Sequence, residues 1–155
     1  MKKSHILIII SGLIIDQLTK FYFASNFDVN QSKAIIDGFF SLTYVRNTGV
    51  AWGMFSGNVM MLILIAFAAL GFLCYLYYTN FHLKITSLAI VLMISGTLGN
   101  LFDRLVRGYV VDFLDFIVFN YDFPVFNVAD ILLCIGCGLL FIAILLEKDE
   151  INGSN

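Results

Sequence analysis

The chain has 155 residues, 60% of them hydrophobic and only 13% charged. An ordinary soluble domain is nearer half apolar and a quarter charged, so the surplus of apolar side chains must face lipid, and the length allows about four spans with short loops and no separate soluble domain. A net charge of −2 and the lack of any basic run exclude nucleic acid as a partner.

Met1-Lys2-Lys3 followed by an apolar run has the look of a signal-peptide start. The apolar character resumes at Phe21 after Asp16–Lys20, and no small-x-small cleavage site follows, so residues 5–24 are read as an uncleaved first span. Residues 25–57 form the first connection. After the Asp37-Gly38 turn signal, Phe40, Leu42 and Tyr44 alternate with Ser41, Thr43 and Val45, which predicts a short strand in a small sheet on the membrane surface. Arg46 to Gly53 follows, with Gly49 and Gly53 to let that sheet close and Trp52 as an interfacial residue.

Residues 58–78 are an uncharged second span ending in Tyr75, Tyr77 and Tyr78. A short turn leads to the third span, residues 85–102, where Ser95 and Gly99 are spaced for close helix approach. Asn100 shares a face with Asp103 and Arg104, and the last two are read as a positioning pair. Residues 103–125 are the second large connection and residues 126–146 the fourth span. Both termini then share a side. Lys and Arg counts barely discriminate, but Lys2 and Lys3 beside the first span put the termini in the cytoplasm and both larger loops outside.

Cys134-Ile-Gly-Cys137 fits a redox spacing, but no second pair or nearby His accompanies it, so these cysteines and Cys74 are read as packing residues. His5 and His82 lie near span ends. No metal site is expected.

Four of the eleven acidic residues lie in the apolar stretch Val110–Asp130, where an ionised carboxylate is costly. Every polar cluster falls at one level: Asp16 and Lys20, Asn100, Asp103 and Arg104, Asp112, then Asn127 and Asp130. Asp16 and Lys20 have i, i+4 spacing, with Asp16 roughly 10 Å inside the span. Either they pin the first helix while Lys20 snorkels to the surface, or they meet substrate. Pro124 suits a helix start, with Asn127 as its N-cap and Asp130 in the first turn. Composition alone does not rank Asp112 above Asp115 or Asp122. Two neighbouring carboxylates that share a proton can hydrolyse an amide: one deprotonates water, the other protonates the carbonyl oxygen and then the leaving amine. No metal, cofactor or nucleophilic serine is required.

These motifs, in order, resemble the lipoprotein signal peptidase (signal peptidase II) family. They are Asp16-Gln-Leu-Thr-Lys20, Asn47-Thr-Gly-Val-Ala-Trp-Gly53, Gly99-Asn-Leu-Phe-Asp-Arg104, Val110-Val-Asp-Phe113 and Phe126-Asn-Val-Ala-Asp130. The resemblance implies a mainly α membrane protein of four transmembrane helices with a small extracytoplasmic β-cradle and a membrane-surface loop. It implies an aspartyl endopeptidase that cuts bacterial prolipoproteins before a diacylglyceryl-modified cysteine. Asp112 and Asp130 then match the catalytic pair, near the outer face. Asp16, Lys20, Asn47, Gly49, Asn100, Asp103, Arg104 and Asn127 match supporting or substrate-binding positions. The expected partners are such prolipoproteins and membrane lipids, with the chain a monomer of one integral domain, residues 1–155. Phe113 to Phe126 is expected to act as a flexible greasy cover. The competing reading is a small proton-coupled transporter or channel subunit with the aspartates as a relay.

Overall fold

The computed structural model describes residues 1–49, 55 and 57–153, with side chains through residue 146. Trp52 and Gly53, and the closing role expected of that glycine, lie outside the described residues. The chain order is α1 (Lys3–Asn26), β1 (Ser32–Ile36), β2 (Phe40–Asn47), α2 (Val59–Asn80), α3 (Lys84–Arg107), β3 (Val110–Val118), β4 (Tyr121–Asp122) and α4 (Val128–Gly153), so two strand pairs interrupt the helices. All four helices are long and apolar enough to cross a bilayer, α4 through Leu146.

α3 is the central post. Half of its most apolar 18 residues are buried inside the protein, against 11–17% in the other three helices, whose apolar sides face outward. Close packing here depends on missing side chains. A Cβ on Gly96 would land on the Ala129 carbonyl oxygen of α4, and one on Gly99 would sit 2.5 Å from Asp16 Oδ2 of α1. Ser95, the other half of the small-residue pair, donates its hydroxyl to the Ile9 carbonyl at 3.2 Å. Away from the sheet the bundle is apolar, with Ile9, Leu73, Ile90, Val91 and Ile94 packed together. His5, expected at an interface, is buried there with Nδ1 2.9 Å from the Tyr77 hydroxyl.

The strands form one antiparallel sheet in the order β1-β2-β3-β4. It is seated on the end of α1 through Phe23, Tyr44, Val111 and Phe113, with the Phe23 and Phe113 rings stacked 4.2 Å apart. The predicted alternating strand is β2.

Two expectations change. The stretch after Asp112 is not a loose cover. Val110–Val118 is an inner strand of the sheet, and Leu114 and Phe126 exchange backbone hydrogen bonds of 2.8 and 3.0 Å. The hairpin turns at Phe119 and Asn120, both left-handed at φ +52° and +62°, as a two-residue turn of this twist demands. α3 also runs past the expected end at 102 to Arg107, so Asp103 and Arg104 are helical and the second connection starts at Gly108.

Candidate active site

α4 begins with a reciprocal cap. The Asp130 N–H donates to Asn127 Oδ1 and the Asn127 N–H to Asp130 Oδ2, each at 3.1 Å. This is the capping-box geometry, and it fixes both side chains in the first turn of the helix, where the dipole favours a carboxylate. Asn127 is thus the expected N-cap, and its amide is free to do a second job. Its Nδ2 donates to Asp112 Oδ1 at 2.6 Å and to Asn100 Oδ1 at 3.2 Å. Asn100 in turn donates to Asp130 Oδ1 at 2.8 Å. One asparagine therefore ties together the carboxylates of β3 and α4.

Asp112 sits opposite Val45 in the β2–β3 ladder and is 2% exposed. Its Oδ2 accepts from Asn47 Nδ2 at 2.8 Å, and Asn47 Oδ1 accepts the Gly49 N–H at 2.9 Å. Burial pushes the Asp112 carboxyl up to about 7, and the charge of Asp130 pushes the same way. The amides of Asn47 and Asn127 and the charge of Lys20 oppose that rise without cancelling it.

Asp112, Asp130, Asn47, Asn100 and Arg104 line one cavity of about 660 Å³. Its remaining wall is mostly apolar and includes Val110, Val125, Ile131 and Leu133, with Ala66 of α2. Arg104 reaches the carbonyl of Gly49 through Nη2 at 2.9 Å, while its buried Nε has no hydrogen-bond partner among the described residues. A guanidinium donor facing two carboxylates inside an apolar wall is a place for a polar group of a bound molecule.

Asp16, Lys20 and Asp103 do not line the cavity; they stand behind it. Lys20 is fully buried, 3.0 Å from Asp16 Oδ2 and 3.3 Å from Asp103 Oδ2. The expected snorkelling does not occur: the ammonium stays between two buried carboxylates. The Asp103–Arg104 pair does not form either. Consecutive helix residues point about 100° apart. Asp103 turns towards Lys20, pairs with Arg107 one turn on, and accepts the Val111 N–H at 3.0 Å. Asp16 also accepts the Ala129 N–H at 2.9 Å, which ties α1 to the first turn of α4.

Sequence reasoning passed over Gln17 and Arg107. Gln17 Nε2 bridges Asp16 Oδ2 and Asp103 Oδ1 at 3.0 and 3.2 Å. Arg107 was signalled by its i, i+4 spacing from Asp103. Asp115, unexplained before, accepts from Thr43 in the neighbouring strand, and Thr43 contacts Ser32 in the next. Asp122 stays exposed at the hairpin. Cys74, Cys134 and Cys137 are free and on the surface, so they are not interior packing residues. Among the described residues no three His, Cys, Asp or Glu side chains gather as a metal-binding group.

Solved structures described as bacterial membrane enzymes superpose on this four-helix fold with its small sheet. One at 2.3 Å resolution has a TM-score of 0.88 at 39% identity, covering 96% of this chain and 90% of that one. Another at 1.9 Å has a TM-score of 0.84 at 39% identity, covering 92% of each. The family described as signal peptidase (SPase) II matches residues 8–146. A lipoprotein signal peptidase of Bacillus subtilis is 42% identical over 136 residues, 87% of this chain and 88% of the relative. One of Staphylococcus haemolyticus is 42% identical over 155 residues, 96% and 97% of the two chains. The chain belongs to the signal peptidase II family.

Proposed function

We propose that this chain removes signal peptides from bacterial prolipoproteins by aspartyl catalysis, cutting immediately before a diacylglyceryl-modified cysteine. The observation that carries the reading is the cavity itself: two carboxylates from separate elements, positioned by one asparagine, open onto a wall that suits an apolar chain. Asp130, capped by the Asn127 N–H and hydrogen-bonded by Asn100, is the member that takes a proton from water. The water oxygen attacks the scissile carbonyl carbon. Asp112, with its raised affinity for a proton, donates that proton to the carbonyl oxygen. When the C–N bond breaks, the leaving amine takes the proton held by Asp130, and the oxygen's proton returns to Asp112. The Arg104 side chain, which lines the cavity, is placed to orient a backbone carbonyl of the substrate, and Asn47 and Gly49 hold the strand end beside it.

In this reading the chain works as a monomer of one integral domain, residues 1–155, in the bacterial cytoplasmic membrane. Its termini are cytoplasmic and its site is near the outer face. A proton relay would need to continue across the bundle, and the packed Ile9, Leu73, Ile90, Val91 and Ile94 offer no polar path.

Purified enzyme is incubated with matched lipidated and unlipidated prolipoprotein. Cleavage before the cysteine is expected only for the lipidated form, unchanged by chelators. Asp112→Asn and Asp130→Asn should each insert normally and lose at least about 100-fold in kcat. Full activity in either variant defeats the assignment, and pH-driven flux in liposomes without cleavage would favour transport.

A further inference from the structure

Lys20 is completely buried, lies on α1, and does not line the cavity. An ammonium has three donors. Two of them meet Asp16 and Asp103. Those two carboxylates are already balanced by Lys20 and Arg107, so charge balance does not explain where the third donor goes. It goes to Asn100 Oδ1 at 2.9 Å. An ammonium can only donate, so it accepts only the oxygen end of the Asn100 amide. The NH₂ end is then turned the other way, onto Asp130 Oδ1 at 2.8 Å.

We infer that Lys20 is a positioning residue for the aspartate pair: together with Asn127 Nδ2, which donates to the same oxygen at 3.2 Å, its third donor holds the Asn100 amide with the NH₂ on Asp130, the member that accepts the proton of water. The inference rests on the aspartyl reading above. Among the described residues, the charged groups facing Lys20 are Asp16 from its own helix and Asp103 from α3, with Arg107 beyond, and its charge also reaches Asp112 on β3. Those around Asp130 are Asp112 from β3 and Arg104 from α3.

The test is the pH profile of kcat on lipidated prolipoprotein for the full chain carrying Lys20→Met. The acid limb should move up by about one pH unit, as expected on weakening one hydrogen bond to a charged group. kcat at pH 6 should fall several-fold and KM stay within about twofold, since Lys20 does not touch the cavity. Each point is normalised to the folded enzyme present at that pH, so loss of fold does not move the limb. Asn100→Leu should shift the limb by a similar amount, and adding Lys20→Met to it should shift it no further. An unmoved limb in Lys20→Met, or equal shifts by Lys20→Met with and without Asn100, overturns the inference. Should Lys20→Met alone fail to fold, Lys20→Met with Asp16→Asn removes the cation together with one buried partner, and the same limb is read. If Asp112→Asn or Asp130→Asn still cleaves, the aspartyl reading fails; if both are inactive and the limb stays put, the role of Lys20 alone fails.

Discussion

Asp112 carries a cost that can be measured without any substrate. Its carboxyl ionises near 3.8 in an exposed chain and near 7 in the fold. Between those values the folded protein holds a proton that the unfolded chain has released, so Asp112 makes stability fall as pH rises from about 4 to about 7. Each unit of that difference is worth about 1.4 kcal/mol. Asp112→Asn has no proton to lose. Its Tm relative to the parent should therefore climb between pH 4 and pH 8, even if the amide loses one of the hydrogen bonds now made by Asn47 and Asn127. A pH-independent gap in Tm would show that the carboxyl is not desolvated. At this scale the sequence was readable where one local rule governs. The Asn127 cap and the Asp16–Lys20 spacing follow from helix geometry alone. It was not readable where partners come from elsewhere: Asp103 chose Lys20 and Arg107 over its neighbour in sequence, and no local pattern announces a lysine sealed between two helices.

Among the elements, α3 sets the tolerance of the fold. Gly96 faces a backbone oxygen of α4, which cannot swing aside as a side chain can. Gly96→Ala should therefore separate α3 from α4 and cost about 1–3 kcal/mol, read as a lowered Tm in detergent. Gly71, on α2 with open space around it, should accept alanine with no loss. The four helices were legible because about twenty apolar residues in a row have few other fates. β2 was legible from its period of two. β3 was not: Val-Val-Asp-Phe-Leu-Asp-Phe-Ile-Val has no alternation, because its first four residues are all buried. An inner strand covered on both faces reads as a continuous apolar run. Its two aspartates suggested an irregular surface segment, yet Asp115 is part of a polar ladder across three strands and Asp112 points into the site.

For the whole molecule, the arrangement predicts a sidedness. With Cys74, Cys134 and Cys137 replaced, a cysteine at Asp37 in the β1–β2 turn should react with a membrane-impermeant maleimide on intact cells. One at His82, in the turn between α2 and α3, should react only after lysis. The reverse pattern would turn the molecule over and put the site on the cytoplasmic side. The class of fold was legible because composition and length left few choices. The cavity was not, since it is made by a helix start, two strands and two other helices that are far apart in the chain.

That cavity has one more property. Its wall includes Cys134 and Ile135 of α4, both of which are exposed. With α4 crossing a bilayer, a site lined by these residues would be reached sideways from lipid as well as from water. A substrate anchored by acyl chains would arrive by diffusion in two dimensions, and the quantity that saturates the enzyme would be its surface density. Diluting a fixed amount of substrate with inert lipid or detergent should slow the reaction at constant bulk concentration. Diluting the whole suspension with buffer should leave turnover per enzyme nearly unchanged.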